Sequence, residues 1–267
     1  MEAGSFRRRL LGRELLIGSF LNLGSPLAAE IVASAGFDWV LIDLEHGHGN
    51  ELVALNQAQA IATTAAAALV RVESNSPPRV HRALELGAAG VLIPRIDSPQ
   101  DAALAVAHTQ FAGLRGISRG NRAWRFGARG HEYLAEADAN VVCAIQIETR
   151  PAYEALEAIA NTDGVDALFL GPADLANALR IEGRPDHPEV LSAAQKIARI
   201  ASAAGNVAGV VVENLGQAEV YAGLGFTFLG CSSDTLLLAG EARRISSGLR
   251  KLRPTAVAPP SEELAKA

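Results

Sequence analysis

Cysteine and lysine are both scarce in this chain, and each scarcity excludes something. Cys143 and Cys231 are the only cysteines and lie far apart with no CxxC spacing. Neither a disulfide framework nor a structural zinc site is therefore expected, and both, set in apolar runs, read as buried small hydrophobes. The only lysines are Lys196, within a helical pattern, and Lys251 and Lys266, near the C-terminus. No lysine ends a candidate strand, where a Schiff-base aldolase or a pyridoxal-phosphate enzyme needs its amine. Carbonyl chemistry in this chain would have to use a metal as electron sink.

A long apolar span is also lacking. The longest uncharged stretch, Leu52 to Val70, carries Asn56, Gln57, Gln59, Thr63 and Thr64, which are costly in hydrocarbon. Arg7 to Arg9 are followed by too few apolar residues before Arg13 and Glu14 to make a secretory signal. A cytoplasmic enzyme is expected, with no membrane partner. The net charge of −5 lacks the excess of Lys and Arg that nucleic acid or an anionic surface demands, so a small-molecule partner is favoured. Dinucleotide and phosphate-loop signatures are missing too: Gly223-Leu-Gly225 has Phe228 where a third glycine would fall, and no GxxxxGK occurs.

What is present is a repeat of short apolar runs. They cover Leu15–Phe20, Trp39–Asp43, Ala68–Val72, Gly90–Ile93, Val141–Ile147, Ala167–Leu170, Ala208–Val212 and Thr227–Gly230, each followed by turn residues and a helical pattern. None alternates polar with apolar, as expected of parallel strands buried on both faces. Ser25-Pro26, Ser76-Pro77 and Ser98-Pro99 each place a hydroxyl cap before a first-turn proline, and Gly36, Gly87, Gly113, Gly205 and Gly223 stand where left-handed helix ends are wanted. Eight such units predict an α/β protein, a single-domain (β/α)8 TIM barrel over residues 1–253, with an open doubly wound sheet as the alternative. The tail 254–267, with Pro259-Pro260, Glu262 and Glu263, is expected to be disordered or loosely docked.

Barrel enzymes work at the C-terminal ends of their strands, so polar residues there carry most weight. Glu148 and Asp174 follow consecutive strands and are the candidate metal ligands, since paired carboxylates hold Mg, Mn or Co while leaving room for water and substrate. Either carboxylate alone could equally serve as a helix cap or in a surface ion pair. Asp43 and His46 are close enough for the carboxylate to hold the imidazole in one tautomer for proton transfer; His48 could instead form an HxH metal pair with His46. Arg71, leaving an apolar strand, must face a buried acid or an anionic substrate; the plainer reading pairs it with Glu45 or Glu73. The segment Arg115 to Arg129, with Arg119, Arg122, Arg125, Trp124 and Phe126, suits an acidic substrate or another subunit better than nucleic acid; a solvated loop face is the plain alternative.

In order and spacing, several segments resemble the HpcH/HpaI aldolase family of metal-dependent class II pyruvate aldolases. They are Gly18-Ser-Phe, Phe37-Asp-Trp-Val-Leu-Ile-Asp43-Leu-Glu-His46-Gly, Val70-Arg71-Val, Leu86-Gly-Ala-Ala-Gly-Val-Leu-Ile-Pro94, Arg115-Gly116, Arg122-Ala123, Gln146-Ile-Glu148 and Gly171-Pro-Ala-Asp174-Leu. The resemblance implies a TIM barrel whose last helix packs on a neighbouring subunit, usually in homohexamers. It implies further that Glu148 and Asp174 hold a divalent metal, that Arg71 meets pyruvate, and that His46 with Asp43 moves a proton. Gln146 would lie beside the keto acid, and backbone amides of Gly171, Pro172, Ala173 and Asp174 would surround its carboxylate. Two positions depart from the family pattern, Glu85 standing for an aspartate and Trp124 for a small residue.

The reaction so implied is reversible cleavage of a 4-hydroxy-2-oxo acid to pyruvate and an aldehyde. A citrate-lyase-β-like acyl-CoA lyase or an oxaloacetate decarboxylase would use the same enolate. A catalytically silent metabolite-binding barrel is the alternative outside enzymes, which fold by itself does not exclude.

Overall fold

The computed structural model describes residues 3–181 and 186–253, with side chains from Phe6 onward. The tail from Pro254 lies outside the described residues. In chain order the elements are α1 (Ala3–Leu11), β1 (Leu16–Leu21), α2 (Pro26–Ala33), β2 (Trp39–Asp43), α3 (Glu51–Ile61), β3 (Ala67–Arg71), α4 (Pro77–Glu85), β4 (Gly90–Ile93) and α5 (Pro99–Thr109). After a long loop with one 3-10 turn come α6 (Tyr133–Asn140), β5 (Val142–Ile147), α7 (Arg150–Glu154), α8 (Leu156–Ala160), β6 (Ala167–Leu170) and α9 (Pro172–Ala178). The chain continues with α10 (Pro188–Ala203), β7 (Val207–Val212), α11 (Leu215–Gly223), β8 (Phe228–Ser233) and α12 (Asp234–Leu249).

All eight strands run parallel and close into one barrel in sequence order, β8 pairing back onto β1, so the (β/α)8 expectation holds and the open sheet does not. Two compact units divide the chain, Met1–Thr235 and Leu236–Ala267, and the barrel lies within the first. Among the described residues no helix is long and apolar enough to cross a membrane.

Strand period two sorts each side chain to one of two cores. Leu16, Phe20, Trp39, Leu41, Leu69, Ala144, Phe169 and Phe228 fill the barrel interior, where Trp39 and Phe228 rings lie 4.6 Å apart. Their neighbours Leu21, Val40, Ile42, Val70, Ile145 and Leu168 point outward against the helices. Space inside is tight enough that a Cβ on Gly18 would sit 2.1 Å from the Trp39 ring. Phe6 and Leu10 of α1 join the interior cluster, closing the N-terminal end of the barrel. Arg7 beside them donates from Nη2 to buried Asp166 at 2.7 Å and from Nη1 to Ala139 O at 2.9 Å.

Helix ends follow the sequence with three exceptions. Ser25 and Ser98 cap α2 and α5 through the N–H groups of Ala28 and Asp101, but Ser76 makes no side-chain cap bond. Gly36, Gly87 and Gly205 take positive φ as expected; Gly113 does not, and after α11 the left-handed residue is Gly225 (φ 96°), two places past Gly223. Cys143 is buried as expected, whereas Cys231 is half-buried near the end of β8.

Candidate active site

The same period-two rule delivers the polar cluster. Running up the inward face, β2 reads Trp39, Leu41, Asp43; β3 reads Ala67, Leu69, Arg71; β5 reads Val142, Ala144, Gln146 and, one step beyond its end, Glu148; β6 reads Ala167, Phe169 and then Gly171. The β2, β3 and β5 series are apolar until their last one or two members, so the polar groups converge at the C-terminal mouth, where a barrel enzyme reacts, and the β6 series ends there on a glycine. Asp43 and Arg71 are register partners on adjacent strands.

Arg71 is the hub. It donates from Nε to Asp43 Oδ1 at 2.9 Å and from Nη2 to Oδ2 at 2.6 Å, a bidentate pair with both residues buried. Nη1 is left to face the site, 3.5 Å from Gln146 Oε1 and 3.3 Å from Glu45 Oε2, and the guanidinium carbon lies 5.2 Å from the Phe20 ring centre. Burial pushes Asp43 up, yet the hydrogen bonds and charge of Arg71 win and hold the carboxyl below its usual range. Glu73, the other suggested partner, pairs instead with Arg79 at 3.4 Å.

Asp43 therefore does not grip the His46 imidazole. Its Oδ1 accepts the backbone N–H groups of Glu45 and His46 at 3.1 and 3.2 Å, and Asn22 Nδ2 donates to Oδ2 at 2.7 Å. The carboxylate shapes the turn that carries the histidine, while the ring, exposed, has Nε2 3.8 Å from Glu45 Oε2. Gly47 follows because any Cβ there would lie 2.1 Å from Asp43 O. His48 turns to Asn22 O, Nδ1 at 3.1 Å, rather than forming a ligand pair with His46.

Glu148 is buried; its Oε1 accepts the Arg95 N–H at 2.9 Å and its Oε2 accepts from Gln146 Nε2. Gln146 thus ties Arg71 to Glu148 through the two ends of one amide. Burial pushes Glu148 above its ordinary value; the Arg95 N–H opposes this, and the charges of Glu45 and Asp174 add to it. Burial raises Glu45 likewise, against Arg71 and His46 and together with Asp43 and Asp174. Asp174, exposed in the first turn of α9, approaches the others because Gly171 has no side chain: a Cβ there would lie 3.3 Å from Gln146 Nε2, 3.4 Å from Asp174 Oδ2 and 3.4 Å from Glu148 Cβ. Pro172 is buried at that turn and Ala173 exposed.

Of the residues expected from sequence, Asp43, Arg71, Gln146, Glu148, Gly171 and Asp174 come together, and His46 stands at their rim. Sequence reasoning placed Glu45 only as an ion-pair partner and passed over Asn22. Their signal was position alone: Glu45 lies two past the last residue of β2 and Asn22 one past β1.

Donor chemistry for a cation is oxygen only. Among the described residues no group of three or more His, Cys, Asp or Glu side chains stands ready-arranged as a metal cage. Even so, Glu45 Oε2 is buried with no hydrogen-bond partner, the Arg71 ion pair lacking hydrogen-bond alignment, and three acids repel one another across the gap Gly171 leaves. A hard divalent cation fits that donor set.

Known proteins bear the same stamp. The sequence profile of the HpcH/HpaI aldolase/citrate lyase family matches residues 16–240. A hydroxypyruvate/pyruvate aldolase of Cupriavidus necator is 36% identical over 249 residues, 92% of each chain. A 5-keto-4-deoxy-D-glucarate aldolase of Escherichia coli is 34% identical over 248 residues, 92% of this chain and 96% of that one. The crystal structure of an HpcH/HpaI aldolase/citrate lyase family protein from Burkholderia cenocepacia superposes with a TM-score of 0.89 at 37% identity, covering 93% of this chain and all of the other. With its matched span taking in every strand and the mouth cluster, the chain belongs to the HpcH/HpaI aldolase/citrate lyase family.

Proposed function

We propose that the chain is a carbon–carbon lyase that reversibly splits a 4-hydroxy-2-oxo acid into pyruvate and an aldehyde, with a divalent cation, Mg, Mn or Co, held by Glu148 and Asp174. The observation that carries this reading is Arg71: buried, locked along one edge by Asp43, and turning its Nη1, beside Gln146 and Glu45, into a ring of acids that suits a cation. Relatives named as aldolases of pyruvate and of a keto sugar acid support the same chemistry.

When bound, the cation supplies Lewis acidity toward the oxygens of the keto acid. Cleavage of C3–C4 leaves negative charge on the former keto oxygen, and Arg71 Nη1 is the donor this chain aims at it. A donor fixed before reaction stabilises developing charge with little reorganisation. Gln146, bonded to both Arg71 and Glu148, keeps the two aligned. The N–H groups of Ala173 and Asp174, beside Gly171 and Pro172, receive the substrate carboxylate. His46 takes the C4 hydroxyl proton, directly or through one water, and Glu45 steadies the imidazolium that results. Asp43 acts by positioning Arg71 and the histidine turn. The chain works as a homohexamer in the cytoplasm.

The test is pyruvate release from a 4-hydroxy-2-oxo acid before and after chelation. Activity should vanish on chelation and return with Mg, Mn or Co, and His46→Ala should lower kcat roughly 10²–10⁴-fold, the usual worth of a positioned proton acceptor. Full activity in chelator would remove the metal from this scheme, and unchanged turnover in the variant would remove the histidine.

A further inference from the structure

The proposed reaction leaves the arginine-rich segment unused. Part of that segment borders a cavity of about 760 Å³ at the opposite end of the barrel. Ala67, the first residue of β3, lines it, whereas Arg71, the last, belongs to the mouth cluster. Its volume falls in the range of small-molecule pockets, roughly 300–1,000 Å³.

Charge is what sets this cavity apart. Five guanidiniums line it, from Arg8, Arg115, Arg122, Arg125 and Arg129, and a single carboxylate, Glu136. Arg115 is 5% exposed, lies 4.2 Å over the Phe111 ring, and its Nη1 is buried with no hydrogen-bond partner. Burial pushes this guanidinium below its usual value, although a Tyr133 hydrogen bond and the charges of Asp138 and Glu85 work the other way. Asp138 is itself committed, accepting from Phe111 N at 2.7 Å and Ala112 N at 2.9 Å. Arg122 donates Nη1 to Leu86 O at 2.9 Å, and Arg129 lies 4.5 Å from the Tyr133 ring centre and 3.9 Å from Glu136 Oε1. Among the described residues the Arg8 and Arg125 side chains make no ion pair, and both are exposed at the cavity rim.

A buried guanidinium with an unmade bond is costly unless something completes it, and four further like charges around it deepen the cost. Among the described residues Glu136 is the one carboxylate lining the cavity, against five guanidiniums, so most of the positive charge stays unmatched. An anion would match it, and a phosphoryl dianion suits best, because guanidinium forks match its oxygens two at a time and it carries two charges in a compact volume. We propose that this cavity binds a small phosphorylated anion, with Arg115 as buried anchor and Arg8, Arg125 and Arg129 closing on it. The site is separate from the aldol centre. Occupation ties α1 to the loop and to α6, elements already joined by Arg7 at Ala139 O.

Calorimetric titration of the full-length, Mg-loaded protein with inorganic phosphate and with glycerol 3-phosphate, first without and then with saturating pyruvate, tests this. One saturable site per chain is expected, weakened by added salt and weakened about tenfold or more in Arg115→Met, the worth of one charge-assisted bond. Since Arg115→Met could disturb folding, the double variant Arg8→Gln/Arg125→Gln, both at exposed positions, should weaken binding in the same way. Phosphate should also raise the Tm of the wild type more than that of the double variant. Absence of saturable binding, unchanged affinity in the double variant, or loss of binding when pyruvate is added would overturn the site. Succinate binding as tightly as phosphate would overturn the phosphoryl assignment.

Discussion

At the scale of single residues, the decisive arrangement is a buried ion pair whose members also do something else. Asp43 uses one oxygen on Arg71 and two backbone N–H groups, the other on Arg71 and Asn22. Breaking one partner of a buried pair leaves the other charge stranded, at about 3–5 kcal/mol. Asp43→Asn should lose stability on that order in urea unfolding and lose lyase activity with it; a loss under about 1 kcal/mol would mean that Arg71 finds another partner. A second residue-scale prediction concerns His81, whose Nε2 is buried without a partner and whose ring centre lies 6.2 Å from that of His108. Burial lowers both histidines, the Arg115 charge adding to it at His81, where Glu85 opposes, and His81 itself adding at His108. With folded values below the unfolded 6.5, the unfolded chain binds protons first, so stability holds above pH 6.5 and drains as pH falls through the window beneath it. Replacing His81 with Leu should flatten the decline of Tm between about pH 7 and 5, and an unaltered slope would clear this residue. The polar roster at the mouth was legible because a charge ending an apolar strand has few places to go. What Asp43 does was not: sequence proximity suggested the His46 ring, but a buried guanidinium directly across the ladder makes the stronger claim on a carboxylate.

At the scale of elements, strands were readable to within one to three residues at each end, because runs buried on both faces stand out against polar turns. β2, β4 and β6 match their expected bounds, while β8 extends three residues further, through Cys231 and two serines that no apolar signal marks. Caps were less readable. Ser76 and Ser98 look alike before their prolines, yet only Ser98 accepts a bond from the helix, at 3.1 Å from Asp101 N. Ser98→Ala should therefore cost about 1 kcal/mol and Ser76→Ala only a few tenths, by thermal or urea unfolding of the two variants. Equal losses would show that the hydroxyl of Ser76 is engaged in solution after all. The loop between α5 and α6 defeated sequence reading for another reason: three of its arginines, Arg115, Arg119 and Arg129, lie over the rings of Phe111, Trp124 and Tyr133, and neither periodicity nor composition encodes such pairings.

At the scale of the whole molecule, α12 holds Leu237, Leu238, Ile245 and Leu249 exposed along sixteen residues. Clustered apolar surface of that kind marks an association surface, in keeping with the hexamer proposed above. Leu237→Glu/Leu238→Glu should lower the mass seen by light scattering while circular dichroism stays unchanged; an unaltered mass would place the subunit contact elsewhere. The ring of strands carries one more implication. β1 leaves the ribosome first, yet its second neighbour is β8, made more than two hundred residues later. Until that last strand emerges, each nascent chain presents a sticky, unsatisfied margin to every other, so crowded synthesis favours tangling and chaperones that shield the margin should raise the yield of native protein.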